Sequence, residues 1–448
     1  MVIGKLLRIV AAAVVLAAAA LIGWRVLAPA EVFESSVRSG AGRSDGEPAT
    51  GAYPVAVTLP PGVTGKTTLA PLIVDGRIRV YAGERLVKAD GPVEAKTMST
   101  ARWSYRRWPE RLTGIVAVAA TVVTRWSDGD VVALDGRTGE LAWRAGGPAA
   151  EPFAGRTGSA AVWAPPGLHT AGTSVLITDG RQLIARAAAD GTQRWAVPLP
   201  PGCGDGFVTT GGRYVCGAGA WDVLSGTVVR GWPTGPFTAV GCDVARSGCA
   251  GLRDGSGQGW LTGARRPERA PALDAPDATA AADLVLTVSG GGAVVPGVTA
   301  SGGAVVPGVT ASGGAVVPGV TASGGAVVPG VIASGGAVTA SGGAVVASRA
   351  GREVWRWSGA ARVLGVRGGR AVLLAADRRL IVLDAATGVL RAEFPLYVPK
   401  ERVEAWKPDR WQLTDGYLAV ERLQPSAGTD PDEANHFYTT DPVVIAAL

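Results

Sequence analysis

The 448-residue chain reads as an all-β protein of repeated antiparallel sheets, preceded by one N-terminal transmembrane helix. Three features support this. From Pro71 onward, short apolar runs alternate with Asp-Gly and other glycine turns. One turn-and-strand phrase, Ala133–Trp143, recurs in imperfect copies. Near the N-terminus, the uncharged run Ile9 to Trp24 lies between Arg8 and Arg25.

The N-terminus comes first. Lys5 and Arg8 precede the apolar run, which favours a cytoplasmic N-terminus with the remainder extracytoplasmic. A spanning helix needs ~17–25 apolar residues. Residues 9–28 supply that length if the flanking basic side chains reach back to the interface. The run is longer than the usual core of a cleaved signal, about 7–15 residues. The expectation is an uncleaved signal anchor over 9–28 behind a cytoplasmic segment 1–8. The alternative is secretion after cleavage near Ala30. Residues 29–68, rich in Gly, Ser, Ala and Pro, read as a linker that lifts the following domain off the membrane. Within it, Tyr53–Leu59 reads as a lone strand that could pair back onto the domain.

From Pro71 the pattern is consistent with strands throughout. Leu72-Ile73-Val74, Ile78–Tyr81 and Arg85–Ala89 are separated by turns at Asp75-Gly76 and Ala82-Gly83-Glu84. Ala101–Arg106 alternates with period two, as a half-buried strand does. Ser127-Asp128-Gly129, Asp179-Gly180 and Asp190-Gly191 are further turns, suited by the positive φ that Asp and Gly tolerate. No long segment has a 3.6-residue period, so helices after the N-terminus should be scarce.

The recurring phrase is apolar-Ala-x-Asp-x-x-Thr-Gly-x-x-x-Trp. Ala133–Trp143 matches fully, with Asp135, Thr138, Gly139 and Trp143. Ala185–Trp195 keeps Gly191 and Trp195. Ala220–Arg230 keeps Asp222, Ser225 and Gly226 but has Arg at the Trp position. Gly351 and Trp355 keep the end of the phrase. Val382–Ala392 keeps Asp384, Thr387 and Gly388, and Trp260 closes a poorer copy. Tryptophan outnumbers tyrosine and phenylalanine together, 14 against 13, which points to docking between sheets.

These residues resemble the pyrroloquinoline-quinone-like (PQQ-like) β-propeller repeat family. The resemblance covers roughly residues 69–448. It implies seven or eight four-stranded blades, with Trp143, Trp195 and Trp355 docking against neighbouring blades and Gly139, Gly191, Gly226, Gly351 and Gly388 in turns. Physical reasoning agrees, because a single four-stranded sheet cannot cover both its faces, whereas radially stacked sheets cover one another. The last blade is expected to combine Tyr417–Leu423 and Pro442–Ala447 with N-terminal strands.

Cys203, Cys216, Cys242 and Cys249 fall within one stretch, and an even number in an exported protein suggests two disulfides. Local pairing, Cys203–Cys216 and Cys242–Cys249, is preferred among three connectivities. Their spacing lacks the close pairs that zinc sites use.

Residues 291–341 interrupt the pattern. Gly-Gly-Ala-Val-Val-Pro-Gly-Val-Thr-Ala-Ser begins at Gly291 and recurs at Gly302, Gly313 and Gly324, followed by a fragment at Gly335. Excising it joins Leu284–Gly290 to Gly342–Ser348 as an ordinary hairpin. The tandem therefore reads as an in-frame expansion at a turn, which a surface loop tolerates at small entropic cost.

Little in the sequence points to chemistry. Quinone-binding members of the family carry a calcium ion, an amide ligand, a catalytic Asp and often adjacent cysteines. Here Asn435 is the only Asn and the cysteines are not adjacent. Asp128-x-Asp130 and Asp430-x-Asp432-Glu433 lack the spacing of a calcium loop. His169 and His436 are the only histidines; His169 reads as a loop residue, and no Gly-x-Ser-x-Gly elbow occurs. Arg102, Arg106, Arg107 and Arg111 around Trp103, Tyr105 and Trp108 read as an exposed strand face with blade docking. The net charge of +6 is spread out and follows no nucleic-acid motif. The expectation is a non-catalytic, membrane-anchored extracytoplasmic propeller without cofactor or metal, binding a protein or peptide on its loop face or acting as a scaffold. The alternative is a quinone- or small-ligand-binding sensor or quinoprotein-type oxidoreductase. A folded remnant with no strong ligand is the third reading.

Overall fold

In the computed structural model the described residues are 13–21, 23, 30–35, 56–94, 101–152, 155–204, 206–233, 235–289, 343–398, 401 and 405–448. They form eight antiparallel sheets, the blades of a propeller. Blade 1 runs from Pro71–Val74 to Trp103–Trp108, blade 2 from Leu112–Val118 to Leu141–Gly146, and blade 3 from Leu168–Ala171 to Gln193–Pro198. Blade 4 holds three strands, Phe207–Val208, Arg213–Cys216 and Gly219–Asp222, with a single bridge from Trp221 to Val228 in place of the fourth. Blade 5 spans Thr238–Val240 to Glu268–Arg269, blade 6 Thr279–Ala281 to Arg352–Ser358, and blade 7 Ala361–Arg367 to Leu390–Pro395. Blade 8 holds Lys407–Leu413, Tyr417–Leu423, Val443–Ala447 and, as its outermost strand, Gly62–Thr67.

That last strand closes the ring. Gly62–Thr67 pairs antiparallel with Val443–Ala447. It lies inside the stretch 29–68 that reads as a linker, as does Ala30–Ser35, a fifth strand on the outer edge of blade 1. The sequence pattern hides both. One carries two glycines and the other two glutamates, and partner strands rather than intrinsic propensity hold them. Residues 56–60 are not a strand, and 53–55 lie outside the described residues.

The run 9–28 is described as helical over residues 13–21. Among the described residues no helix is long and apolar enough to cross a membrane. The tandem 291–341 lies outside the described residues. The strands on either side of it, Leu284–Ser289 and Ala344–Arg349, pair in register, with Ser289 opposite Ala344.

Because strands alternate in direction, the loops fall on two faces. Loops between blades share one face with those joining second to third strands. Loops joining first to second and third to fourth strands share the other. Val443–Ala447 and Val131–Leu134 are wholly buried because stacked blades cover both their sides. Burying each such aliphatic side chain contributes about 1.5–3 kcal/mol.

The docking rule at the seams is specific. The indole Nε1 of Trp103 in blade 1 donates to Gly136 O of blade 2 at 2.9 Å. Trp143 donates to Ala188 O at 2.7 Å, Trp195 to Val223 O at 3.2 Å and Trp355 to Ala385 O at 2.9 Å. In each case the acceptor is the residue after the Asp position of the next blade's phrase. The same phrase supplies a glycine under the ring: Gly139 under Trp103, Gly191 under Trp143, Gly226 under Trp195 and Gly388 under Trp355. Each has φ between 72° and 78°, and a Cβ there would fall within 3 Å of the indole. The turn itself is held by Asp135 Oδ1, which accepts from Arg137 N at 2.8 Å, Thr138 N at 2.9 Å and Thr138 Oγ1 at 3.3 Å. Asp222 and Asp384 accept the equivalent three bonds. The Arg391 guanidinium, then the Thr387 hydroxyl and amide, hold the Asp384 carboxyl down at about 2.

Gly351 departs from the rule. It keeps φ 74°, yet nothing lies within 4 Å of a Cβ there, because blade 5 ends in Glu268–Arg269 and offers no Trp. Trp260 is not a docking residue either. It sits on a third strand and donates to Asp254 Oδ2 in its own hairpin at 3.0 Å.

Candidate ligand site at the propeller axis

Two insertions reach the axis from opposite faces. The first is the loop between blades 2 and 3, which carries a short helix, Ser159–Trp163. Trp163 Nε1 donates to Pro71 O of blade 1 at 2.8 Å, and Arg410 Nη1 of blade 8 donates to Ser159 Oγ at 3.3 Å. Thr157 Oγ1 donates to Glu421, whose carboxyl is raised above its ordinary range by burial. The second is the hairpin between the first two strands of blade 5, closed by the Cys242–Cys249 disulfide.

This second loop crosses from blade 5 to both sides of the ring. On blade 3, His169 Nδ1 donates to Ala245 O at 2.7 Å, and Thr170 N donates to Ser247 Oγ at 2.8 Å. On blade 7, Arg367 Nη1 holds both oxygens of Asp243, at 2.8 and 2.7 Å, while its Nε lies 3.4 Å from Asp415 of blade 8. Burial raises the Asp243 carboxyl above its ordinary range despite that pairing. His169 is therefore no loop residue. It sits in the inner strand of blade 3, fully buried, and desolvation pulls its imidazole down to about 4. His436 is also buried, edge-on to Phe437 with ring centroids 4.8 Å apart.

The result is a cavity of about 900 Å³. Its floor is Gly241–Val244, and its walls come from the inner strands of blades 5 to 8 and from the Trp163 end of the short helix. The mouth lies on the face that carries the interblade loops. Arg362 stands 5.2 Å over the Trp411 ring, and burial lowers its guanidinium. Arg253 is locked by the carbonyls of Leu273, Ala275 and Ala278, each at 2.6 Å. Asp409 lies 3.6 Å from Arg410. Three acidic and three basic residues thus share one aromatic-walled cup, a set suited to recognising polar, mixed-charge groups.

The residues singled out in the sequence are largely elsewhere. Asp135, Thr138, Gly139, Trp143, Gly191, Trp195, Gly226, Trp355 and Gly388 lie in the seams. Cys203 bonds to Cys216 inside blade 4, and of all these residues Cys242 alone lines the cup. Trp163, Asp243, Arg367 and Arg410 are the residues a sequence reading misses, and they carry no local signal. The strand around Trp103 docks as expected, but it is not an exposed face: Trp103, Tyr105 and Arg107 are buried between blades 1 and 2. Arg107 explains Asp128 and Asp130, since its Nη2 lies 3.0 Å from each.

Fold and cup together define an eight-bladed propeller with an axial cavity. Part of the chain is similar to the PQQ-like β-propeller repeat family. A family model described as outer membrane protein assembly factor BamB matches residues 47–202 and, overlapping, 127–226. No curated protein matches the chain. Among solved structures, BamB from Moraxella catarrhalis aligns at 12% identity over 88% of this chain and 99% of its own, with TM-score 0.38. The C-terminal WD40 domain of Sif2 aligns at 9% identity over 88% and 99%, with TM-score 0.43. A europium-containing methanol dehydrogenase aligns at 12% identity over 87% and 92%, with TM-score 0.37.

The cup does not fit a quinone with its calcium ion. Asp243 is spent on Arg367 and Asp409 faces Arg410. Among the described residues no three His, Cys, Asp or Glu groups converge as a metal site.

Proposed function

We propose that this chain is a membrane-anchored, extracytoplasmic propeller that binds a protein or peptide at the open face and works as a scaffold rather than an enzyme. The cup supports this reading most directly. An aromatic wall with paired guanidinium and carboxylate groups matches the chemistry of a polypeptide segment. Closure of the opposite face by loop 242–249 confines access to one side. The family description, an assembly factor, is in keeping with protein contact. The anchor is the apolar run 9–28. Its helical residues 13–21 are exposed on all sides and carry no polar face, and such a helix needs a nonpolar surround.

A photo-crosslinking amino acid at Arg410, beside the mouth, should yield discrete adducts in native membranes. The same group at Asp415, on the closed face, should not. Equal adducts from both positions, or none from either, would overturn the reading. The small-ligand alternative is tested by optical titration with quinone and calcium, where saturable binding would reverse the order of the two.

A further inference from the structure

We infer that the propeller lies on the bilayer through the open-face corner of blade 1, so that the cup opens towards the membrane and the disulfide-closed face points away. The occupant of this surface is the phospholipid headgroup layer. The inference rests on the anchored reading above, and it concerns orientation, which that reading leaves open.

The first observation is where the chain joins the propeller. Strand Ala30–Ser35 runs antiparallel along Trp103–Trp108, with Ala30 opposite Trp108 and Ser35 opposite Trp103. Trp103 belongs to the closed-face end, since it docks on the third-to-fourth-strand turn of blade 2. Ala30 therefore marks the open-face end. The strand is fixed there: Glu31 pairs with Arg144 at 2.5 Å and with Arg107 at 3.3 Å, and Ser35 Oγ donates to Thr138 O at 3.3 Å.

The second observation is length. Between residue 23, helical, and residue 30 the chain has six residues, which reach at most about 25 Å when fully extended. Running back from the closed face to Ala30 would use roughly 20 Å of that along the height of the six-residue strand. Little would remain to clear the rim, and Trp24, Val26 and Leu27 would have to leave the nonpolar region. Approach from the open face needs neither.

The third observation is the surface at that corner. Trp108 is 37% exposed, with the Arg85 guanidinium 4.3 Å above its ring. Arg106, Pro109 and Arg111 are exposed beside it, and Val32 and Phe33 on the edge strand are 47% and 46% exposed. Tryptophan with guanidinium groups is the chemistry of the interfacial belt, where the ring sits at headgroup depth and the cation meets phosphate. Glu84, which faces Arg85 at 3.4 Å and Arg111 at 3.0 Å, offsets one of the three guanidinium charges of Arg85, Arg106 and Arg111, so the patch stays basic and anionic lipid should strengthen the contact.

The test uses the full chain in phosphatidylcholine vesicles. The four native cysteines are paired, so a single added cysteine can carry a fluorophore. Labels go on Phe33→Cys and Trp108→Cys at the corner, on Leu16→Cys in the helix, and on Val389→Cys in a closed-face turn of blade 7. Headgroup spin-labelled lipid should quench the two corner labels several-fold more than the Val389 label, while chain-labelled lipid quenches the Leu16 label. Quenching at Leu16 with no excess at 33 and 108 over 389 would overturn the orientation and leave the anchor standing. No quenching at Leu16 would overturn the anchor and the orientation together.

Discussion

Gln412 of blade 8 binds the main chain of Ile73 in blade 1 twice. Its Oε1 accepts from Ile73 N at 2.7 Å and its Nε2 donates to Ile73 O at 3.0 Å. A side-chain amide thus stands in for a neighbouring strand where the inner edges of the first and last blades meet. Both main-chain groups are buried, with Ile73 only 5% exposed. Gln412→Leu keeps the bulk and removes both partners, which should cost about 2–4 kcal/mol. The urea midpoint should fall accordingly. An unchanged midpoint would mean that water reaches Ile73 without penalty.

The seam rule separates two glycines of equal φ. Gly139→Ala should cost about 2–4 kcal/mol, the sum of a strained left-handed backbone and overpacking against Trp103. Gly351→Ala meets no neighbour and should cost about 1 kcal/mol, the backbone term alone. Thermal unfolding of the two variants side by side checks the difference. Equal losses would remove the indole from the explanation.

His169 predicts an acid-sensitive core. Its folded value is near 4, below its unfolded value of 6.5, because burial disfavours the imidazolium and Arg246 and Arg125 add repulsion. The unfolded chain therefore binds the proton first. Stability should be full above pH 6.5 and fall as the pH drops towards 4, by about 3 kcal/mol in total. His169→Gln should flatten the stability profile across that window. Parallel profiles for the two proteins would show that the imidazole is not the sensor.

Loop 242–249 should be the least robust part of the axis once its disulfide is gone. Closing so short a loop contributes about 2.5 kcal/mol. In the double variant Cys242→Ser, Cys249→Ser, hydrogen exchange at Val244–Ser247 should accelerate well beyond that of the blade 5 strands. Uniform acceleration across blade 5 would point instead to general loss of the blade.

Much of the ring was legible because its signals are local. The Asp-x-x-Thr-Gly turn and the following Trp lie within one phrase, and each copy at 135, 222 and 384 forms the same three hydrogen bonds. Blade number was harder. Blade 4 lacks a full outer strand, and blade 5 has strands of two or three residues, so periodicity fades there. An N-terminal strand completing the last blade was expected, but the positions Ala30–Ser35 and Gly62–Thr67 were illegible because partners about 75 and 380 residues away create these strands. The cup is invisible for the same reason. Asp243 and Arg367 meet only because a blade 5 hairpin crosses the axis, and His169 gains its environment from that crossing.

Of the blade strands only the edge strand Ala30–Ser35 is synthesised before the outermost strand of blade 8, whose partner is the last. At ordinary elongation rates, Gly62–Thr67 waits roughly 20–80 s for Val443–Ala447 to appear. Throughout that interval Gly62–Thr67 is an unpaired β-strand, and its complementary edge exists only when Val443–Ala447 has been made. A second copy could offer its own Val443–Ala447 edge to that waiting strand, so the choice between a closed monomer and a strand-exchanged pair is made as synthesis ends, before the ring exists.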